Sequence, residues 1–247
     1  MYPDDFDVHL IMTSVHDVDD DWLWGRLAQP SFKYKIQEPK HGIEYITAIQ
    51  DRSICESETP AAASHGHIVW DAAIALADYC QESKLDCKHV LELGAGIGLV
   101  GMTLSAMGCP NVVLSDQRYC LPLLEKNIAE NFPATHPLPP RTAELQWGDD
   151  KASAAFKNVD LIVASDVIYN SSVFPLLYRT LDKIASPSTV VLFCYEVRNA
   201  DLEAEFFAGL RRHGYTCDEI AFSSSQVEYP EEIHLIRVQK TERHVMA

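Results

Sequence analysis

The sequence predicts an α/β fold: a seven-stranded, mainly parallel, twisted sheet with helices on both faces, of Rossmann-like type, preceded by an N-terminal β-hairpin extension. Three observations carry this. Apolar runs of strand length near 89–93, 111–115, 143–147, 159–165 and 189–195 alternate with amphipathic stretches near 98–107, 119–131, 173–185 and 201–213. That alternation is the pattern of a parallel sheet covered on both faces. The first of these runs leads straight into Gly94-Ala95-Gly96-Ile97-Gly98, with glycines at alternate positions where a strand hands over to a helix. Finally, two strand-like runs, 215–222 and 232–239, follow one another without a helix between them, so the sheet should close with its last strand inserted antiparallel.

In chain order, residues 1–21 hold seven aspartates and no Lys or Arg, which reads as a solvated tail before it reads as a docking element. Phe32-Lys33-Tyr34-Lys35-Ile36 and Ile43-Glu44-Tyr45-Ile46, separated by Pro39 and Gly42, predict a hairpin. Residues 51–66, with Pro60, read as a loop leading into an amphipathic helix over 70–80. Residues 133–142 carry four prolines and predict a rigid irregular connection. The chain is thus divided into an acidic segment and hairpin over 1–66 and an α/β domain over 67–247.

Composition narrows the function classes. The chain has 247 residues, 47% of them hydrophobic, enough for one large α/β core. No apolar run approaches the ~18 residues of a membrane span, and Met1-Tyr2-Pro3-Asp4-Asp5 lacks the basic start of a signal peptide. The expectation is a cytoplasmic monomer, with the nucleus as a second compartment. A net charge of −16 disfavours nucleic acid and anionic membranes as partners. The cysteines, at 55, 80, 87, 109, 120, 194 and 217, show neither a C-x-x-C pair nor a zinc spacing, so reduced thiols and no metal are expected.

The glycine loop is where a nucleotide-like cofactor would sit, because glycine lets a ligand approach the main chain and the following helix offers unpaired N–H donors. It departs from the dinucleotide pattern G-x-G-x-x-G, since Leu99 stands where the third glycine belongs. Asp116 ends the next strand-like run, twenty positions beyond Gly96, where a carboxylate can accept both ribose hydroxyls. That suits NAD or S-adenosylmethionine equally. Glu92, beside the loop, favours the second, whose sulfonium prefers acidic and aromatic neighbours over the basic ones a pyrophosphate needs. Further strand ends carry Trp147-Gly148-Asp149, Ser165-Asp166-Val167-Ile168-Tyr169 and Tyr195-Glu196. An acid and a phenol three residues apart can hold an ammonium and position it. Taken singly, Trp70 and Trp147 read as core, Asp166 as a possible helix cap displaced by Ser171 or Ser172, and Tyr195 and Glu196 as structural or rim residues.

Through Val69-Trp70-Asp71-Ala72-Ala73, Glu92-Leu93-Gly94-Ala95-Gly96, Leu145-Gln146-Trp147-Gly148 and Asp166-Val167-Ile168-Tyr169, the chain resembles the seven-β-strand protein lysine methyltransferases, methyltransferase family 16. Cys194-Tyr195-Glu196-Val197-Arg198 and Glu232-Ile233-His234-Leu235-Ile236 look most like the valosin-containing-protein lysine methyltransferase branch. The resemblance runs from about residue 66 to 240. It implies S-adenosyl-L-methionine contact from Trp70, Gly94, Ala95, Gly96, Asp116, Trp147 and Ser165, with Asp166 and Tyr169 at the target lysine. Ser165 stands where that family often has Ala. Glu92 completes the cofactor set, and Tyr195 and Glu196 the substrate set. The implied substrate is a protein: an AAA ATPase, a chaperone or an elongation factor.

The chemistry that fits is in-line displacement, with the protein supplying proximity, alignment and desolvation. An unperturbed lysine, with a pKa of ~10.4, must first lose its proton. Asp166 as an anion would bind that lysine and raise its pKa, so orientation suits it better than general-base work. Two rivals stand beside this reading: methylation of arginine or a small amine, and a cofactor-binding protein that acts by gripping a partner.

Overall fold

A computed structural model describes residues 28–56, 66–85, 88–222 and 229–242. The acidic run 1–21, His65 and Cys87 lie outside them. The chain opens with β1 (Ser31–Lys35) and β2 (Tyr45–Ile49), an antiparallel pair in which Tyr34 faces Ile46 and Phe32 faces Ala48. α1 (Arg52–Glu56) and α2 (Asp71–Ser83) follow. The hairpin docks through its edge. Asn127 and Asn131 sit one turn apart on α4 (Leu121–Asn131), and their side-chain amides bond the main chain of β2 as a neighbouring strand would. Their carbonyls accept from Ile49 N and Thr47 N at 2.6 Å, and their amide groups donate to Ile49 O and Thr47 O at 3.2 and 2.9 Å. Tyr34, from β1, also donates to the buried carboxylate of Asp78 on α2, which takes a second phenol from Tyr229.

The main sheet has seven strands in the order β5-β4-β3-β6-β7-β9-β8. Its members are β3 (His89–Leu93), β4 (Asn111–Asp116), β5 (Arg141–Glu144), β6 (Leu161–Ser165), β7 (Val190–Glu196), β8 (Tyr215–Glu219) and β9 (Ile233–Lys240). The first five in space are parallel, whereas β9 runs antiparallel to both β7 and β8. Between the strands run α3 (Leu99–Ala106), α4, α5 (Asp150–Ser153), α6 (Phe174–Ile184) and α7 (Ala200–Arg212). Strand β6 begins Leu161-Ile162-Val163-Ala164 with every side chain buried, because both faces of the sheet are covered. Along β7 the faces alternate: Val191, Phe193 and Tyr195 enter a core with α6 and α7, while Leu192 and Cys194 enter the core shared with α2 and α3. Phe206 anchors the first core, edge-on to Phe174 and Phe193 at 5.0 and 5.3 Å.

The architecture therefore follows the expectation, with four local corrections. Strand β5 begins at Arg141 and ends at Glu144, so Trp147 lies past the strand. The two prolines at 139 and 140 end the irregular stretch early, and the chain then turns at Gly148, where φ is +83°. Within 51–66, expected as loop, Asp51 opens α1 by accepting from Ser53 N and Oγ. The turn after Asp166 is capped by Asn170 and not by Ser171 or Ser172, its carbonyl accepting from Ser172 N at 3.0 Å. Asp149 similarly caps α5, a helix of one turn that no sequence periodicity predicts. The six described cysteines are all free thiols, and among the described residues no helix is long and apolar enough to cross a membrane.

Candidate active site

Strand order reverses between β3 and β6, and in an open α/β sheet that switch point places a ligand crevice beyond the carboxyl ends of the parallel strands. The glycine loop fills its floor. Gly94 has φ +63°, and a Cβ on it would lie 3.0 Å from Val167 and 3.3 Å from the Trp147 ring. The indole and the residue after Asp166 therefore rest directly on the loop. Gly96, at φ +52°, comes as close to the main chain of Gly66, ahead of α2. Ala95 N donates to Ser115 O at 3.0 Å, tying the loop to the end of β4.

Two carboxylates fix this loop from behind. Glu92 is buried, and its Oε2 accepts from Gly101 N at 2.9 Å, inside the first turn of α3. Burial pushes its pKa up to about 8, the Gly101 bond opposing and the Asp116 charge adding to the rise. Asp116 accepts from Gly96 N at 2.7 Å and from Gln117 N at 2.6 Å, and burial raises its pKa against those two bonds. The Asp116 carboxylate is thus braced by the loop it accompanies.

On the other side of the crevice Asp166 leaves β6 with φ +51°, a left-handed conformation costing about 1 kcal/mol or more in a residue other than glycine. Its surroundings enforce it. Asp166 N donates to Cys194 O, and Oδ1 accepts from Glu196 N at 3.0 Å and from Arg198 Nη1 at 3.2 Å. Arg198 Nη2 also donates to Glu196 at 2.8 Å, and the guanidinium lies 5.2 Å from the centroid of the Trp70 ring. Trp70 directly precedes α2. The Glu196 pKa is raised by burial, lowered by Arg198, and raised again by the charges of Asp166, Asp71 and Glu232.

The structure brings Trp70, Asp166 and Glu196 into one cluster, and Gly94, Ala95, Gly96, Asp116 and Trp147 into another across the crevice. Tyr169 leans toward the second. The residue is 44% exposed, and desolvation of its phenol together with the Asp116 charge pushes its pKa up to about 12. Ser165 ends β6, paired with Cys194. Tyr195 does not join the site: it points to the opposite face of the sheet, packed on Phe207 and His234. Glu92 is set behind the loop at 2% exposure. The sequence alone assigns Arg198 no role. Its signal was present, since positions 196 and 198 lie two apart at a strand end, the spacing that puts two side chains on one face. One cluster offers a carboxylate for hydroxyls and the other carboxylates around a guanidinium, with the rings of Trp147, Trp70 and Tyr169 beside them. This arrangement suits a ligand with hydroxyls and a positive centre.

A family profile described as "Lysine methyltransferase" matches residues 50–213. Protein N-lysine methyltransferase METTL21A of Danio rerio is 33% identical over 175 residues, which cover 70% of this chain and 77% of that protein. EEF1A lysine methyltransferase 3 of Xenopus tropicalis is 35% identical over 141 residues, covering 56% of this chain and 61% of the relative. Among solved structures, the glycopeptide N-methyltransferase MtfA complexed with sinefungin superposes with a TM-score of 0.54 at 15% identity, over 70% of this chain and 95% of that one, a likeness of fold alone.

Proposed function

The chain belongs to the lysine methyltransferase family, and from that premise we propose how its crevice works. It transfers methyl groups from S-adenosyl-L-methionine to a lysine side chain of another protein, with the cofactor against the glycine loop and the acceptor against Asp166. The observation that carries this division is that Asp116 and Asp166 stand at the carboxyl ends of β4 and β6, the two strands flanking β3, each held by main-chain N–H groups. The residues present suit the cofactor. Gly94 and Gly96 hold the loop in a left-handed turn whose main chain a ligand can approach, Asp116 presents a carboxylate for hydroxyls, and Trp147 packs on the loop.

When bound, the cofactor supplies a methyl group on a sulfonium, a leaving group that departs as a neutral thioether. The rest of the work falls to the chain. Asp116, held in place by Gly96 N, takes the ribose side. Asp166 orients the acceptor amine, and Tyr169 and Trp70 exclude water from around it, raising the share of neutral amine by desolvation. Glu92 holds α3 and the loop in place without touching the ligand. Ser165, ending β6 beside the loop, offers main-chain contact. Residues 1–66 are read as an extension of the methyltransferase domain over 67–247.

The first substrate class to test is an elongation factor, since one relative is named for EEF1A; a chaperone or an AAA ATPase comes next. The setting is a monomer in the cytoplasm with access to the nucleus. The test is incubation with labelled adenosylmethionine and a methylation-deficient lysate, with D166A alongside, followed by mass spectrometry of the labelled band. Methyl-lysine on one protein, lost with D166A, is the expected result. Label on arginine or on small molecules alone would overturn the lysine assignment, and cofactor binding without any transfer would favour a partner-binding protein.

A further inference from the structure

We propose that Arg198 is a positioning residue that balances the charge around the acceptor amine, acting through Asp166 and Glu196. This rests on the reading of Asp166 as the acceptor-side acid. The guanidinium ties together three elements: Asp166 after β6, Glu196 at the end of β7, and the Trp70 ring at the start of α2. A carboxylate has about four acceptor sites: Oδ1 takes Glu196 N and Arg198 Nη1, and Oδ2 takes only a long contact from Arg198 Nη2 at 3.5 Å, which leaves an acceptor site on Oδ2 for a further donor.

Without Arg198, an amine arriving there would meet two carboxylates. Asp71 on α2 and Glu232 ahead of β9 add to their field. Among the described residues, other titratable groups nearby are the buried thiol of Cys194 on β7, Tyr229, which feels the charge of Asp71, and Glu203 on α7, which accepts the main-chain N–H groups of Arg198 and Asn199. Such a field holds lysine as the ammonium, which has no lone pair to attack a methyl group. A guanidinium does not lose its proton in proteins. Its permanent charge offsets one of the two carboxylates, so Asp166 can orient the amine with less tendency to keep it protonated. Stacking on Trp70 keeps the cation in place and stops it from swinging out to water.

The test is the pH dependence of kcat, at saturating adenosylmethionine, on the lysate protein that the native chain labels, for native, R198Q, R198K and E196Q proteins. Binding of S-adenosylhomocysteine by calorimetry serves as the check on folding. The acid limb, which reports loss of the lysine proton in the complex, is expected to move up by about one pH unit in R198Q. It should stay near native in R198K and move down in E196Q, where one carboxylate charge is gone. If R198Q does not fold, the opposite shift in E196Q carries the test. Acid limbs superimposed on the native one, with the rate alone lowered, would overturn the role. Absence of label even with the native chain would strike the proposed function itself and remove this role with it.

Discussion

Tyr195 stacks on His234 across the β7–β9 pair, ring centroids 5.6 Å apart and planes 18° from parallel, on the face of the sheet turned away from Asp166. The two residues are direct cross-strand partners, so their side chains must share a face. Tyr195→Phe should therefore leave kcat/KM within about twofold of native, while Tyr195→Ala should cost about 3 kcal/mol of stability by opening a cavity beside Phe207. Initial-rate assays and urea denaturation check the pair. A loss of activity in the Phe variant without a loss of stability would put this ring back in the site.

Glu92 gives a pH signature. Its folded-state pKa of about 8 lies above the ~4.3 of an unfolded chain. Between those values the folded protein keeps a proton that the unfolded chain has released, so stability falls as pH rises, by up to about 1.4 kcal/mol per unit. The contribution is fully present below the unfolded pKa and gone above the folded one. Glu92→Gln has no such proton. In thermal unfolding from pH 5 to 9, the difference between variant and native should grow in the variant's favour up to about pH 8 and then level off.

Gly94→Ala places a Cβ at φ +63°, 3.0 Å from Val167. Backbone strain of about 1–3 kcal/mol is expected, together with loss of S-adenosylhomocysteine affinity, since the Trp147 ring must shift off the loop. Calorimetry and a thermal melt read both effects. Native affinity in a folded Gly94→Ala protein would remove the loop from the binding site.

Asn127→Ala tests how the hairpin is held. The side chain is fully buried and serves both Ile49 N and Ile49 O. Leaving those groups unpartnered should cost about 2–4 kcal/mol, measurable by urea denaturation. Protease cleavage within 28–50 should also speed up.

The βα alternation, the closing hairpin and the glycine loop were legible because each is a local pattern: strand length, helical period, glycine at a strand end. What escaped depends on partners distant in sequence. Arg198 acquires its meaning only where β7 lies beside β6 and α2 brings Trp70 over it. Which face Tyr195 takes depends on where β7 begins, and a shift of one residue inverts it. The Asn127 and Asn131 pairing joins elements about eighty residues apart, and nothing in either segment alone announces it.

The division of labour between the two acids is tested most directly by measuring S-adenosylhomocysteine affinity and methyl transfer for Asp116→Ala and Asp166→Ala side by side. Loss of about two charge-assisted hydrogen bonds in Asp116→Ala should weaken affinity on the order of 100-fold. Asp166→Ala should bind within a few-fold of native yet lose transfer. Equal loss of affinity in both variants, or transfer retained in Asp166→Ala, would contradict the account.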